Sequence, residues 1–440
     1  MTLEQFVLKY NGTKVDFDNY AGAQCFTKDH CVLMSDWTYK PIQDIKLGDK
    51  VIGYDNKVNT VVQLFQNEKT VVHIRTDLTD LYVTKDHPFY FKNGKFLPVT
   101  EIVNQRPALF DKENYSESGL TDEELLFFGF WLGDGNIAPH KDNKTDEIRV
   151  TYGKKKKPFV DSLKLTGNER QHHETENAYV AGLLKREHSL LTALILKFCS
   201  KEKKLPLIFT NREYELILQG FIKADGSLKH SSYVVSNTNL PLLLSFQAIC
   251  IKLGYVTKSI RLSRRNSDCI RIKGKLVKSI KPLYKLTIAT SSNRSTKNTA
   301  EILETKKDIV YNIGTDGTHT YICNNYKVHN CVDLFRQYNK DVKGHGHTGA
   351  VVGAKDLYLN YDVLPKEQEY YRKLTKTAKV KEGDVAVWGA TSSNKYGHVA
   401  IVIGTLGDSL IVFEQDGFKQ DGAKINVRST ASLLGYLRAR

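Results

Sequence analysis

The N-terminus, MTLEQFVLKYNG, lacks the basic start and apolar run of an export signal. No apolar stretch approaches the roughly 18 residues needed to cross a bilayer. Both absences predict a cytoplasmic chain with no membrane partner. A disulfide framework is missing too, because the seven cysteines are odd in number and irregularly spaced. Cys25 and Cys31, and likewise Cys323 and Cys331, are spaced like no common zinc site. Free thiols in a reducing compartment are expected. Charge is nearly balanced everywhere except residues 119–300, which hold 31 Lys and Arg against 17 Asp and Glu, or +14 of the whole chain's +15. A block that basic predicts a polyanion partner, most often nucleic acid.

The chain, at 440 residues, is too long for one ordinary core, and about three domains are expected. From 25 to about 115, short alternating runs such as TVVQLFQ, TVVHIRT and LYVTKDH lie between Asp-Asn and Asn-Gly turns, predicting an all-β segment. Residues 119–300 mix helical patterns with strands. Strand character returns at about 305–328 in DIVYNIGTDGTHTYICNNYKV, as though the first β unit were interrupted. Beyond 331 the pattern is α+β, with a helix in VDLFRQYNKDV and strands in DVAVW, HVAIVIG and SLIVFEQ.

The basic block contains a repeat. TDEELLFFGFWLGDGNI and TNREYELILQGFIKADGSL each open with Thr-x-x-Glu, a capping box, and each ends in a small residue, Asp and Gly. Gly129 and Gly133, like Gly220 and Ala224, are four apart on one helical face, so two helices can approach closely there. Their packing brings Asp134 and Asp225 together, and two carboxylates at a shared position suit a hard divalent cation beside phosphate oxygens. FFGFWLGDG (127–135) and LQGFIKADG (218–226) resemble the paired motifs of LAGLIDADG homing endonucleases. The resemblance implies double-stranded DNA as partner, Mg²⁺ on Asp134 and Asp225, and, from KKLP (203–206), a catalytic lysine at Lys204.

Cys25 and Asn330 bracket this segment. The Cys25 thiol can attack the Gln24 carbonyl to give a thioester, and the Cys331 thiol can accept that acyl group. The side-chain amide of Asn330 can then cyclise onto its own carbonyl, freeing the Cys331 amine for an S-to-N acyl shift. TKDH (84–87) supplies Thr84 and His87 for the oxyanion and the leaving nitrogen, while His319 and His329 can assist Asn330. CFTKDHCVLMSDWTYKPIQDIKLGDKVIGYD, TKDHPFY and DIVYNIGTDGTHTYICNNYKVHN resemble the N-terminal, Thr-x-x-His and C-terminal blocks of inteins. The resemblance implies an all-β Hint-type splicing domain that needs no cofactor. Asn312 stands where many inteins carry Asp, and Trp37 where a turn glycine is common.

Removing 25–330 joins DNYAGAQ to CVDLFRQY and leaves 134 residues. Cys331 would then start a helix, whose N-terminus favours its thiolate. His398 in KYGHVAIVI and Glu414 in VFEQDG add a base and an orienting acid. GDVAVW and GHVAIV resemble cysteine, histidine-dependent amidohydrolase/peptidase (CHAP) domains of phage endolysins, which implies a papain-like α+β fold acting on bacterial peptidoglycan. Asp416 stands where the family's fourth polar residue is usually Asn. The expected multidomain order is N-extein 1–24, splicing domain 25–118, α/β endonuclease 119–300, splicing domain 301–330 and C-extein 331–440. Two alternatives are a DNA-binding protein with degenerate endonuclease, and an autoprocessing Hint protein that cleaves without ligating.

Overall fold

The computed structural model describes residues 1–440 apart from 14–24, 77, 86, 93–95, 105–106, 112–115, 139–146, 173–176, 266–267, 273–274, 279–280, 290–299, 316–319, 330–332, 346–353, 392–396 and 416–421. Three bodies of secondary structure are threaded on one another.

The outer insert is all β. A five-stranded sheet runs 301–315, 26–27, 80–83, 58–75, 50–52, and a six-stranded sheet runs 39–41, 31–33, 320–323, 326–329, 88–90, 96–98. Strands from both sides of the basic block thus share both sheets. The long strands β1 (Val58–Arg75) and β2 (Glu301–Thr315) pair antiparallel from Arg75↔Glu301 to Val61↔Thr315 and form a ribbon whose outer part is exposed. Phe26, Val32, Ile74, Phe89, Tyr321 and Val328 are among the residues that fill the core.

A duplication underlies this unit. Thr27-Lys28-Asp29-His30 and Thr84-Lys85-Asp86-His87 are the same tetrapeptide. Twelve residues after each histidine, Ile42 and Val99 donate their N–H groups to the carbonyls of His30 and His87, at 2.7 and 2.8 Å, and each begins a 3₁₀ turn after a proline.

The nested unit is built on α2 (Asp122–Asp134) and α3 (Asn211–Asp225). Both expected capping boxes form: Thr121 with Glu124 and Thr210 with Glu213 each satisfy backbone N–H groups reciprocally. A Cβ on Gly129 would stand 1.9 Å from the Ile217 carbonyl oxygen, and one on Gly220 2.0 Å from that of Leu126. The helices therefore touch backbone to backbone, which requires glycine. Each helix feeds directly into a four-stranded antiparallel sheet, ordered 166–171, 178–183, 147–153, 135–138 after the first and 226–229, 232–237, 283–289, 261–264 after the second. This core continues into Cys31, Leu33, Tyr39, Ile52 and Ile322 of the outer insert.

The third body takes residues from both ends of the chain. Its six-stranded antiparallel sheet runs 371–375, 433–439, 385–388, 398–406, 409–414, 424–429. α1 (Leu3–Tyr10) sets Phe6, fully buried, among Leu334, Tyr338, Val385, Phe413 and Leu437.

Candidate functional site

Chemically competent side chains converge at three places. The first is the start of the outer insert. Cys25 is 1% exposed, beside Val71 and Val310. Its N–H donates to Thr84 Oγ1 at 2.8 Å, and its carbonyl accepts the Thr84 N–H at 2.9 Å. The nitrogen bound by Thr84 is the one in the Gln24–Cys25 peptide bond. His87 is fully buried, with its ring 4.4 Å from that of Phe26. The strand pairing of Phe26 with Tyr311, carried back one residue, sets Asn312 opposite Cys25. Asn312 Oδ1 accepts the Tyr321 hydroxyl at 2.8 Å and the Ile313 N–H at 2.9 Å.

His30, in the duplicate tetrapeptide, occupies the corresponding position but is held at both ring nitrogens. Nδ1 lies 3.0 Å from the Thr27 carbonyl, and Nε2 accepts the Tyr82 N–H at 3.2 Å. Burial brings its pKa down to about 4, leaving a neutral, structural imidazole. The repeat was present in the sequence, yet only the second copy reads as catalytic there. On the other side of the insert, His319, Asn330 and Cys331 lie outside the described residues. His329 ends a strand paired with Thr320, and of its side chain nothing is described.

The second place is the foot of the glycine crossing. Asp134 Oδ2 accepts Lys156 Nζ at 2.5 Å, and the same ammonium reaches the Ala224 carbonyl at 2.5 Å. Asp225 accepts the Asn237 amide at 2.7 Å. Burial raises the pKa of both carboxyls against the pull of Lys156 and Lys203, and the charge on Asp134 raises Asp225 further. Lys203 donates to the Gly133 carbonyl at 2.8 Å and lies 5.3 Å from the Trp131 ring centroid. Burial lowers its pKa to about 8, although both carboxylates oppose the shift. Lys156 thus bonds Asp134 itself, and Lys203, next to the expected Lys204, bonds the carbonyl just before Asp134 in the chain. The backbone carbonyl of Lys204 lies 3.4 Å from the Cys199 thiol. Two carboxylates and two backbone carbonyls already gathered around cationic groups form an oxygen-rich donor set that fits a hard divalent ion.

The third place is the terminal sheet. His398 Nε2 lies 2.7 Å from Glu414 Oε2, and Glu414 is 1% exposed. Asn426 donates to Glu414 Oε1 at 2.8 Å, and Arg428 Nε donates to Oε2. Burial alone would raise the Glu414 pKa; the bonds from His398 and Arg428 outweigh it and hold the carboxyl at about 2. Asp416, expected as the fourth polar member, lies outside the described residues. Asn426 and Arg428, which the sequence did not reveal, also bond the carboxylate. Engaging Nε2 leaves His398 Nδ1 as the ring nitrogen directed away from Glu414.

Residues 25–92 match the family described as Hom_end-associated Hint, and residues 321–416 match the CHAP domain. The chain therefore carries a Hint-type segment and a CHAP-type segment. No curated protein matches it. Among solved structures, I-DmoI in complex with DNA and Ca is 17% identical, covering 38% of this chain and 83% of that one, with a TM-score of 0.27. A bacterial intein-like domain from Clostridium thermocellum is 14% identical over 70% of this chain and 99% of its own, TM-score 0.23. The gp41-1 intein is 9% identical over 70% and 98%, TM-score 0.21. No helix among the described residues is long and apolar enough to cross a membrane.

Proposed function

We propose that the chain is a precursor which excises residues 25–330 and joins 1–24 to 331–440. The observation that carries this reading is the hold of Thr84 on the scissile nitrogen of buried Cys25. In the first step Cys25 Sγ bonds to the Gln24 carbonyl carbon. The C–N bond breaks, the Cys25 nitrogen leaves as an amine, and the Thr84 hydroxyl stands where that nitrogen gains its proton. His87 is the second acid–base group of this step. Cys331 Sγ then takes the acyl group from Cys25 Sγ, which leaves as a thiol. Asn330 cyclises with help from His319 and His329, and an S-to-N shift makes the Gln24–Cys331 amide. No metal or organic cofactor enters these steps.

The excised segment is read as a site-specific double-strand DNA endonuclease. Asp134 and Asp225 would hold Mg²⁺, which supplies charge neutralisation at the phosphodiester. The joined product is read as a peptidoglycan-cleaving cysteine amidase or endopeptidase of a phage lysin. Cys331 is its nucleophile, His398 its base, Glu414 the orienting acid, and Asp416 the fourth polar residue. Both activities arise in the cytoplasm of an infected bacterium, and the lysin reaches the wall by a separate release step.

Expression of the intact gene followed by intact mass of every product tests the reading. Products of about 15 and 35 kDa are expected from the 50.0 kDa chain, the smaller spanning a Gln24–Cys331 bond. A persistent full-length species, or fragments cut at Asn330 without ligation, would overturn it.

A further inference from the structure

Residues 1–13 are already seated in the unit built from 333–440 while the insert is still in the chain. Residues 1–13 and 333–440 are separated by the whole insert, yet they share one core. Phe6 meets Tyr338 edge-on at 5.6 Å and Phe413 at 6.0 Å. Tyr338 lies on α4 (Asp333–Asp341), the helix that begins two residues after Cys331. Tyr10 donates its hydroxyl to Asp341 Oδ2 at 2.7 Å, and Lys9 approaches the same oxygen at 3.5 Å. Past α1, Gly12 donates to the Ala423 carbonyl at 2.7 Å, while Ala423 donates back to the Thr13 carbonyl at 2.8 Å. A Cβ on Gly422 would come within 2.6 Å of the Gly12 backbone, so the two segments meet at a contact that glycine makes possible.

We infer that this docking is part of the splicing device: α1, seated on 333–440, holds the acyl donor beside its acceptor, and Phe6 and Tyr10 are positioning residues for ligation. The inference rests on the splicing reading above. A thioester at Cys25 has two fates. Cys331 Sγ can bond to the Gln24 carbonyl carbon as Cys25 Sγ leaves with the Cys331 proton, or water can bond there and release 1–24 as a free acid. The first fate depends on the effective concentration of the two flanks, and water is always present. A segment docked on the acceptor's own domain raises that concentration without touching the chemistry of either junction. The same contacts keep residues 1–13 seated when the covalent link passes from one sulfur to the other.

The test uses the full chain. Native protein and Phe6→Asp are expressed, and the ligated 134-residue product is quantified against free 1–24 by mass spectrometry. Thioester formation is measured separately, as hydroxylamine cleavage at Cys25 in the Asn330→Ala, Cys331→Ala background. The expected result is unchanged hydroxylamine cleavage, with a ligated-to-hydrolysed ratio about tenfold lower in Phe6→Asp. Tyr10→Phe, which removes one hydrogen bond from an otherwise intact helix, should shift the ratio the same way by a smaller factor, so the result does not depend on Phe6→Asp folding well. Equal ratios in native protein and both variants would overturn the positioning role while leaving splicing standing. No hydroxylamine-sensitive bond in the native junction would overturn the splicing reading, and this inference with it.

Discussion

His30 and His87 share a tetrapeptide and a place in a duplicated fold, but only His87 has work in the proposed splicing. His30 is buried with its Nε2 accepting a backbone N–H, so protonation would break a bond and strand a charge. Its folded pKa of about 4 lies below the unfolded value of 6.5. The sign follows: above pH 6.5 both states are neutral and the full stability is present. Between 6.5 and about 4 the unfolded chain alone takes up the proton, and stability falls. The loss amounts to ~3 kcal/mol across that window. His30→Gln should flatten the pH dependence of urea unfolding of the excised segment between pH 6.5 and 4; an unchanged slope would show that another group titrates there. Motif reading named Cys25, Thr84, Asp134, Asp225, His398 and Glu414 because each lies in a short run whose chemistry is local, and the structure brings Thr84 to Cys25 and Glu414 to His398. It chose Lys204 from KKLP; that Lys203 bonds the Gly133 carbonyl depends on how the chain turns before α3, which no motif records. Nor did it find Asn426 and Arg428. They reach Glu414 across a strand pair in which Glu414 faces Lys424, and no spacing rule links residues brought together by register.

The two crossing helices were legible as elements because every local signal agrees. Capping boxes start them, apolar runs fill them, and an Asp-Gly pair ends each one. The β1–β2 ribbon was not legible, because its strands are some 230 residues apart and each alone reads as an ordinary alternating strand. The glycine crossing gives a sharp prediction for the helices. Gly129→Ala forces a methyl group to within 1.9 Å of the Ile217 carbonyl oxygen, which is backbone and cannot rotate away. The helices must part, at a cost of about 1–3 kcal/mol for overpacking, more if the shift spreads. Parting them moves Asp134 from Asp225, so DNA cleavage should fall by more than tenfold along with a lower melting temperature. Gly254→Ala, in the same nested unit, makes the comparison: its added Cβ meets nothing within 4 Å, so its penalty is confined to its φ of +82° and should leave cleavage unaltered. Equal cleavage by Gly129→Ala and native protein would mean that the crossing does not set the carboxylate separation.

On the scale of the whole molecule, three nested units would suggest three independent folds, but the contacts between the inner two say otherwise. Leu207 donates its N–H to the Trp37 carbonyl at 2.8 Å, and Trp37 takes a φ of +63° at that point, a conformation glycine adopts without strain. Tyr39 donates to Asn325 Oδ1 at 2.5 Å, Asn325 Nδ2 lies 3.4 Å from Gln247 Oε1, and Gln247 Nε2 donates to the Leu78 carbonyl at 2.6 Å. This chain of buried polar groups crosses from the β unit into the helix at Leu240–Lys252. Removing residues 119–300 leaves the Leu78 carbonyl and the Asn325 amide without those partners, and it takes away the part of the shared core that packs with Leu33, Tyr39 and Ile52. Each newly unsatisfied buried group costs about 1–3 kcal/mol, and each uncovered large apolar side chain a similar amount. A chain with residues 119–300 replaced by a short Gly-Ser linker should therefore splice poorly or aggregate at 37 °C, despite keeping Cys25, Thr84, His87, Asn330 and Cys331. Asp134→Asn in the full chain should abolish DNA cleavage and leave splicing at its native rate, because it alters no contact of this interface. If the shortened chain splices as fast and melts as high as the full one, the shared core contributes nothing to the β unit. If it fails while Asp134→Asn splices normally, the nested unit supports its host insert through its fold, independently of its chemistry. Loss of cutting by point substitution would then be tolerated where loss of the domain is not.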